Sequence, residues 1–119
     1  MKPFKFSYDP TQDDLFLYSP VSKSKGSIEM GDLIVDYNSD KELVGMQLLH
    51  ASTILQELAG KTVKNIQTVL STLKKCSFAI KKTNGLLLVK VRFESDCGEM
   101  SSVFSLPNLQ AMSPALTCT

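Results

Sequence analysis

The 119-residue sequence predicts an α+β fold of predominantly antiparallel sheet, in the order ββββ-α(α)-βββ with the helices packed on the sheet. Three observations carry this. Short segments at both ends alternate apolar and polar residues with the period of two that puts one face of a strand in a core. Turn residues join those segments too closely for the crossovers that parallel strands need. Between residues 51 and 75 the apolar period lengthens to that of a helix.

The first segment, PFKFSYD, puts Phe4, Phe6 and Tyr8 on one face and Lys5, Ser7 and Asp9 on the other. Asp9-Pro10 opens a turn that Thr11, Gln12 and Asp13 complete, since proline fixes φ and an aspartate carboxylate accepts from backbone N–H groups just ahead of it. Asp14–Ser19 is the second strand, and Val21–Ser27 a polar loop. Ile28–Tyr37 is rich in β-branched and apolar residues and predicts one continuous third strand, with Leu33, Val35 and Tyr37 sharing a face. Asn38–Lys41 form a hairpin loop into a fourth strand that ends near His50.

Ser52 is the expected N-cap of a short helix through Ala59, with Gly60 at its C-terminal stop. Val63, Ile66, Val69, Leu70 and Leu73 then recur at helical spacing, which predicts a second helix over Thr62–Lys75. Asn84-Gly85 is the strongest turn signal, matching a type I′ hairpin. Its register puts Phe78, Ile80, Val89 and Val91 on one face and Lys81, Lys90 and Arg92 on the other. Asp96, Cys97 and Gly98 turn the chain into a last strand over Glu99–Leu106, and a loosely ordered tail follows Pro107. The expectation is one domain over 1–119: a four-strand part over 1–50, helices over 51–75, three strands over 76–106 and a tail over 107–119.

Tyr8-Asp9-Pro10, then Asp14-Leu15-Phe16-Leu17-Tyr18, Gly31-Asp32-Leu33-Ile34-Val35-Asp36-Tyr37, and Val44-Gly45-Met46-Gln47-Leu48-Leu49 before Ala51-Ser52 form a spaced pattern. In these segments the first 55 or so residues resemble a prokaryotic family catalogued as domain of unknown function 2283. His50 stands where that family usually carries an acid. The resemblance implies the same β-rich module. Family members have no established activity, and some look like partners of small toxin proteins, which implies a protein-binding role.

The net charge of +1 conceals segregation along the chain: residues 1–60 carry −4, residues 61–92 carry +8 without a single acid, and the remainder carries −3. A basic interaction face built on Lys81, Lys90 and Arg92 is one candidate site, and an acidic end built on Asp9, Asp13 and Asp36 is another. Other aspartates, Asp14, Asp32 and Asp40, could join that end as oxygen ligands for a hard cation, but Asp13-Asp14-Leu15 lacks the order of a calcium loop, and turn capping accounts for most of them. No metal or cofactor is expected. The three cysteines, Cys76, Cys97 and Cys118, show no C-x-x-C spacing and read as reduced thiols. No G-x-S-x-G, H-E-x-x-H, glycine-rich phosphate loop or dinucleotide fingerprint is present, so no enzyme is expected.

The longest apolar run, Leu86–Val89, is far too short to span a membrane, and a cytoplasmic address is expected. The reading is a protein-interaction module that forms a homo-oligomer, most simply a dimer, or binds a small protein partner. The alternative is nucleic-acid binding through residues 61–92. That face has no aromatic for base stacking.

Overall fold

The computed structural model describes residues 1–59 and 65–111. Eight strands and two short helices alternate as β1 (Lys2–Asp9), β2 (Asp14–Tyr18), β3 (Gly26–Met30), β4 (Leu33–Tyr37), β5 (Leu43–Leu48), α1 (Ala51–Ala59), α2 (Ile66–Ser71), β6 (Leu73–Lys82), β7 (Leu86–Ser95) and β8 (Gly98–Pro107), with a 3₁₀ turn at Leu109–Ala111. The fold is α+β and all strand pairs are antiparallel.

Five strands, not four, precede the helices. The expected strand over Ile28–Tyr37 is broken at Gly31-Asp32 into a hairpin, with Met30 opposite Leu33 and Gly31 at φ 63°. Only glycine takes that φ without strain from a Cβ. The apolar run hid the turn because both flanks are good strand formers.

β1 changes partners midway and so joins two arms. Lys2–Phe4 pair with Cys76–Phe78 of β6, whereas Lys5–Asp9 pair with Asp14–Tyr18 of β2. The strand order is therefore β3-β4-β5-β2-β1-β6-β7-β8. In a flat sheet β4 and β8 would lie about 29 Å apart, at about 4.8 Å per strand. Instead the Tyr37 hydroxyl in β4 donates to the Pro107 carbonyl in β8 at 3.0 Å. The sheet is thus folded over on β1, and one apolar cluster unites Leu17, Val35 and Met46 of one arm with Val91, Phe93 and Phe104 of the other. The helices contribute Leu55, Val69 and Leu70 to the same cluster.

The helices also differ from expectation. α1 starts at Ala51, and Ser52 is not its cap: the Ser52 N–H and hydroxyl both donate to the Asp13 carboxylate, the hydroxyl at 2.6 Å. A residue of the β1–β2 turn thereby caps a helix 39 positions along the chain. Within the expected helix Thr62–Lys75, α2 covers only Ile66–Ser71, and Thr72 closes it by donating its hydroxyl to the Thr68 carbonyl at 2.7 Å. Leu73 continues the helical spacing by coincidence, because it already belongs to β6. Gly60, Lys61, Thr62, Val63, Lys64 and Cys118 lie outside the described residues.

At Asn84-Gly85 the register is as read, with Ile80 opposite Val89 and Phe78 opposite Val91. The turn type differs, since Gly85 alone takes a positive φ, 88°. Strand β8 runs to Pro107 and ordered chain continues through Leu109. No helix among the described residues is long and apolar enough to cross a membrane.

Candidate interaction surface

The structure divides the expected acidic end. Asp9 and Asp13 share the β1–β2 turn, but Asp36 pairs with Gly45, which in turn lies beside Tyr18 at the opposite end of β2. Four residue steps along β2 separate the two ends, about 13 Å. Each of these carboxylates has structural work. Asp9 accepts from the Thr11 and Gln12 N–H groups. Asp36 accepts from the Ser27 hydroxyl and ties β3 to β4. Asp13 is at φ 56° and accepts from Ser52 and from the Tyr8 hydroxyl at 2.6 Å. Burial works against the Asp13 carboxylate, but the hydrogen bonds from Ser52 and Tyr8, with the charge of His50, outweigh it and hold its pKa below the ordinary aspartate value. Tyr8 shows the converse: burial and the adjacent Asp13 push its phenol upward. Among the described residues no group of three or more histidine, cysteine or acidic side chains could hold a metal ion.

The expected basic face is brought together by register but is not purely basic. Arg92 lies opposite Ser77 and Ser101, Lys90 opposite Ala79 and Val103, and Lys81 opposite Leu88, so all three point to the outer side of the β6–β8 meander. Glu94 and Glu99 share that side. Arg92 reaches Glu99 at 2.6 Å and Glu94 at 3.9 Å. The charge segregation seen along the chain is therefore partly cancelled in space, because β7 and β8 bring acids from beyond residue 92 beside the cations.

Two features of the outer surface were not read from the sequence. Phe16 and Tyr18, 39% and 38% exposed, stand edge to face at 5.3 Å on the outer side of β2, while Leu15 and Leu17 fill the core. The signal was present in Leu15–Tyr18, since a strand stretch apolar at successive positions presents apolar groups to both faces. The second feature is the pair of sheet edges. Strand β3 is five residues long and carries Glu29 outward, with Lys23 and Lys25 just before it. Strand β8 is ten residues long; outward it presents Glu99, then Ser101, Val103 and Ser105, and Val103 is 52% exposed.

The two-residue turn closing Ser95 onto Gly98 sets the hydrogen-bond phase of β8. Gly98, Met100, Ser102, Phe104 and Leu106 bond to β7, so the N–H groups of Glu99, Ser101, Val103 and Ser105 point to the free side. Among the described residues no backbone hydrogen bond outside the β7–β8 ladder satisfies them. Charged side chains, prolines and shortness are the usual devices that keep an edge from pairing, and β8 lacks them over Met100–Leu106.

Comparison with known proteins adds a family for the first arm. Residues 5–52 match the family described as "Protein of unknown function (DUF2283)". That span holds β1 from Lys5, all of β2 to β5 and the start of α1, so the arm carrying Phe16 and Tyr18 is the part that matches, and β6–β8 lie beyond it. An uncharacterized protein of Methanocaldococcus jannaschii is 29% identical over 62 residues, which is 52% of this chain and 53% of that protein. A Methanosarcina mazei protein named "Putative hypoxanthine phosphoribosyltransferase" is 30% identical over 63 residues, 53% of this chain and 50% of that one. The chain thus spans about half the length of the curated relatives it matches. No solved structure matches.

Proposed function

We propose that this protein is a non-enzymatic interaction module, a single cytoplasmic unit that self-associates by pairing β8 with β8 of a second copy. The observation that carries the proposal is the edge of β8 over Met100–Leu106, which among the described residues carries neither a charge nor a proline. Two β8 strands running antiparallel about a two-fold axis through Val103 would put Val103 beside Val103 and Ser101 beside Ser105 of the second copy. Small uncharged side chains meet on the outer face, and the free N–H groups find carbonyls. The two meanders would then form one continuous sheet.

The family match and the relatives leave this reading open, since the family is named for having no known function. The name of the M. mazei relative does not carry over to this chain, because the match is 30% identical over about half of each protein. Nucleic-acid binding has less support than association, because Glu94 and Glu99 sit among Lys90 and Arg92. Light scattering from about 1 to about 500 µM, a range suited to small transient interfaces, should show the mass rise from 13.1 kDa toward twice that value. A mass fixed at the monomer value throughout would sink the proposal.

A further inference from the structure

A cleft of about 640 Å³ opens between the two arms where β1 begins, β6 ends and the β4–β5 loop passes. Its floor is core face left uncovered. Ile80 follows Phe78 on the inward register of β6, opposite the fully buried Val89, and yet it is 37% exposed. Phe78, Leu87, Leu43 and Val44 line the same space and are otherwise buried.

The cations around this floor are unusual in position. Lys2 lies opposite Phe78 and Lys82 opposite Leu87, so both occupy inward register positions that a closed core would fill with apolar groups. Lys41 faces them from the β4–β5 loop at φ 62°, its N–H donating to the Asn38 carbonyl at 3.0 Å. None of the three is ion-paired with a described residue. Among the described residues the one acid lining the cleft is Glu42, which accepts from the Asn38 side-chain amide. Lys82 donates to Gln110 at 3.1 Å, and Gln110 donates to the Asp40 carbonyl at 3.2 Å, so one wall is fixed across the arms.

We infer that this cleft binds a small anionic amphiphile, an apolar chain or ring ending in a carboxylate. The apolar body would cover Ile80 and Phe78, replacing the missing core neighbour, and the carboxylate would meet Lys2, Lys41 and Lys82. The volume falls in the range of small-ligand sites, with an apolar lining and a few convergent polar groups. Lysine stems can lie along the apolar floor while their ammonium groups remain at the rim.

The test is a titration of the full chain with decanoate, followed by amide NMR, with decanol as the uncharged control. Decanoate should move the amides of Ile80, Lys82 and Lys41 saturably, with octanoate weaker by about fourfold for each methylene removed. Decanol should bind at least about tenfold more weakly, and the double variant Lys2→Met with Lys82→Met should lose a similar factor for decanoate while retaining its melting temperature. Equal binding of decanol would reduce the cleft to an apolar patch and overturn the inference. Shifts confined to other residues, no saturable binding, or full affinity in the folded double variant would also overturn it.

Discussion

The two ends of the sheet, β3 and β8, meet the same physical problem and solve it differently. Both are edge strands with unpaired backbone groups. Strand β3 is short, is approached by Lys23 and Lys25, carries Glu29 outward and is fastened to β4 through Ser27 and Asp36. Strand β8 is twice as long and offers Ser101, Val103 and Ser105 in a row. An edge made this way is a pairing surface unless something covers it. The arm that matches the family ends in the guarded edge, and the arm beyond the match ends in the open one.

The most drastic way to break this contrast is to guard β8. Val103→Lys adds the kind of charge that natural edges use, and it should abolish association at every concentration at which the parent dimerises. Sedimentation equilibrium reads this, and an unchanged thermal melt shows that the monomer still folds. Loosening the fastened edge is next in size. A Cβ at Gly45 would stand 3.0 Å from the Leu17 carbonyl oxygen and 3.1 Å from the Asp36 carboxylate, so Gly45→Ala should cost about 1–3 kcal/mol in denaturant unfolding. The mass of the assembly should not change.

Asp13→Ala removes the cap of α1 and should cost about 1–2 kcal/mol. Because the Asp13 pKa is depressed in the folded state, its contribution is complete above the ordinary aspartate value near 3.9 and disappears as pH falls through the lower native value. The difference between parent and variant should therefore shrink on acidification below about pH 4 in urea titrations at stepped pH. The smallest effect has the opposite sign. Ser102, on the core side of β8, buries a hydroxyl with no partner among the described residues, so Ser102→Ala should stabilise by about 1 kcal/mol and leave association intact.

Much of the fold was legible where one physical signal acted alone. The alternation in Lys2–Asp9 and the Asn-Gly turn gave faces and register directly, because period two and turn geometry are local. The hairpin at Gly31-Asp32 was lost because the apolar residues on each side read as one run, and a lone glycine there does not announce a turn. The α2 boundary failed where Leu73 fitted both periods. The cap of α1 was unreadable locally, since Asp13 reaches Ser52 only after five strands have been laid side by side.

The candidate sites show the same limit more sharply. Lys81, Lys90 and Arg92 share a face as the register required, but the acids that meet Arg92 come from Glu94 and from the next strand. Asp9 and Asp36 share a charge but lie beside opposite ends of β2. The open edge and the uncovered Ile80 depend on where β1 exchanges partners, which no local pattern encodes.

In the proposed dimer β8, and not β3, pairs between copies. Amide hydrogen exchange followed residue by residue at two protein concentrations addresses it directly. Exchange at Glu99, Ser101, Val103 and Ser105 should slow as concentration rises, while Gly26–Met30 remain unchanged. Concentration-independent exchange at those four β8 amides, or slowing at β3 instead, would contradict it.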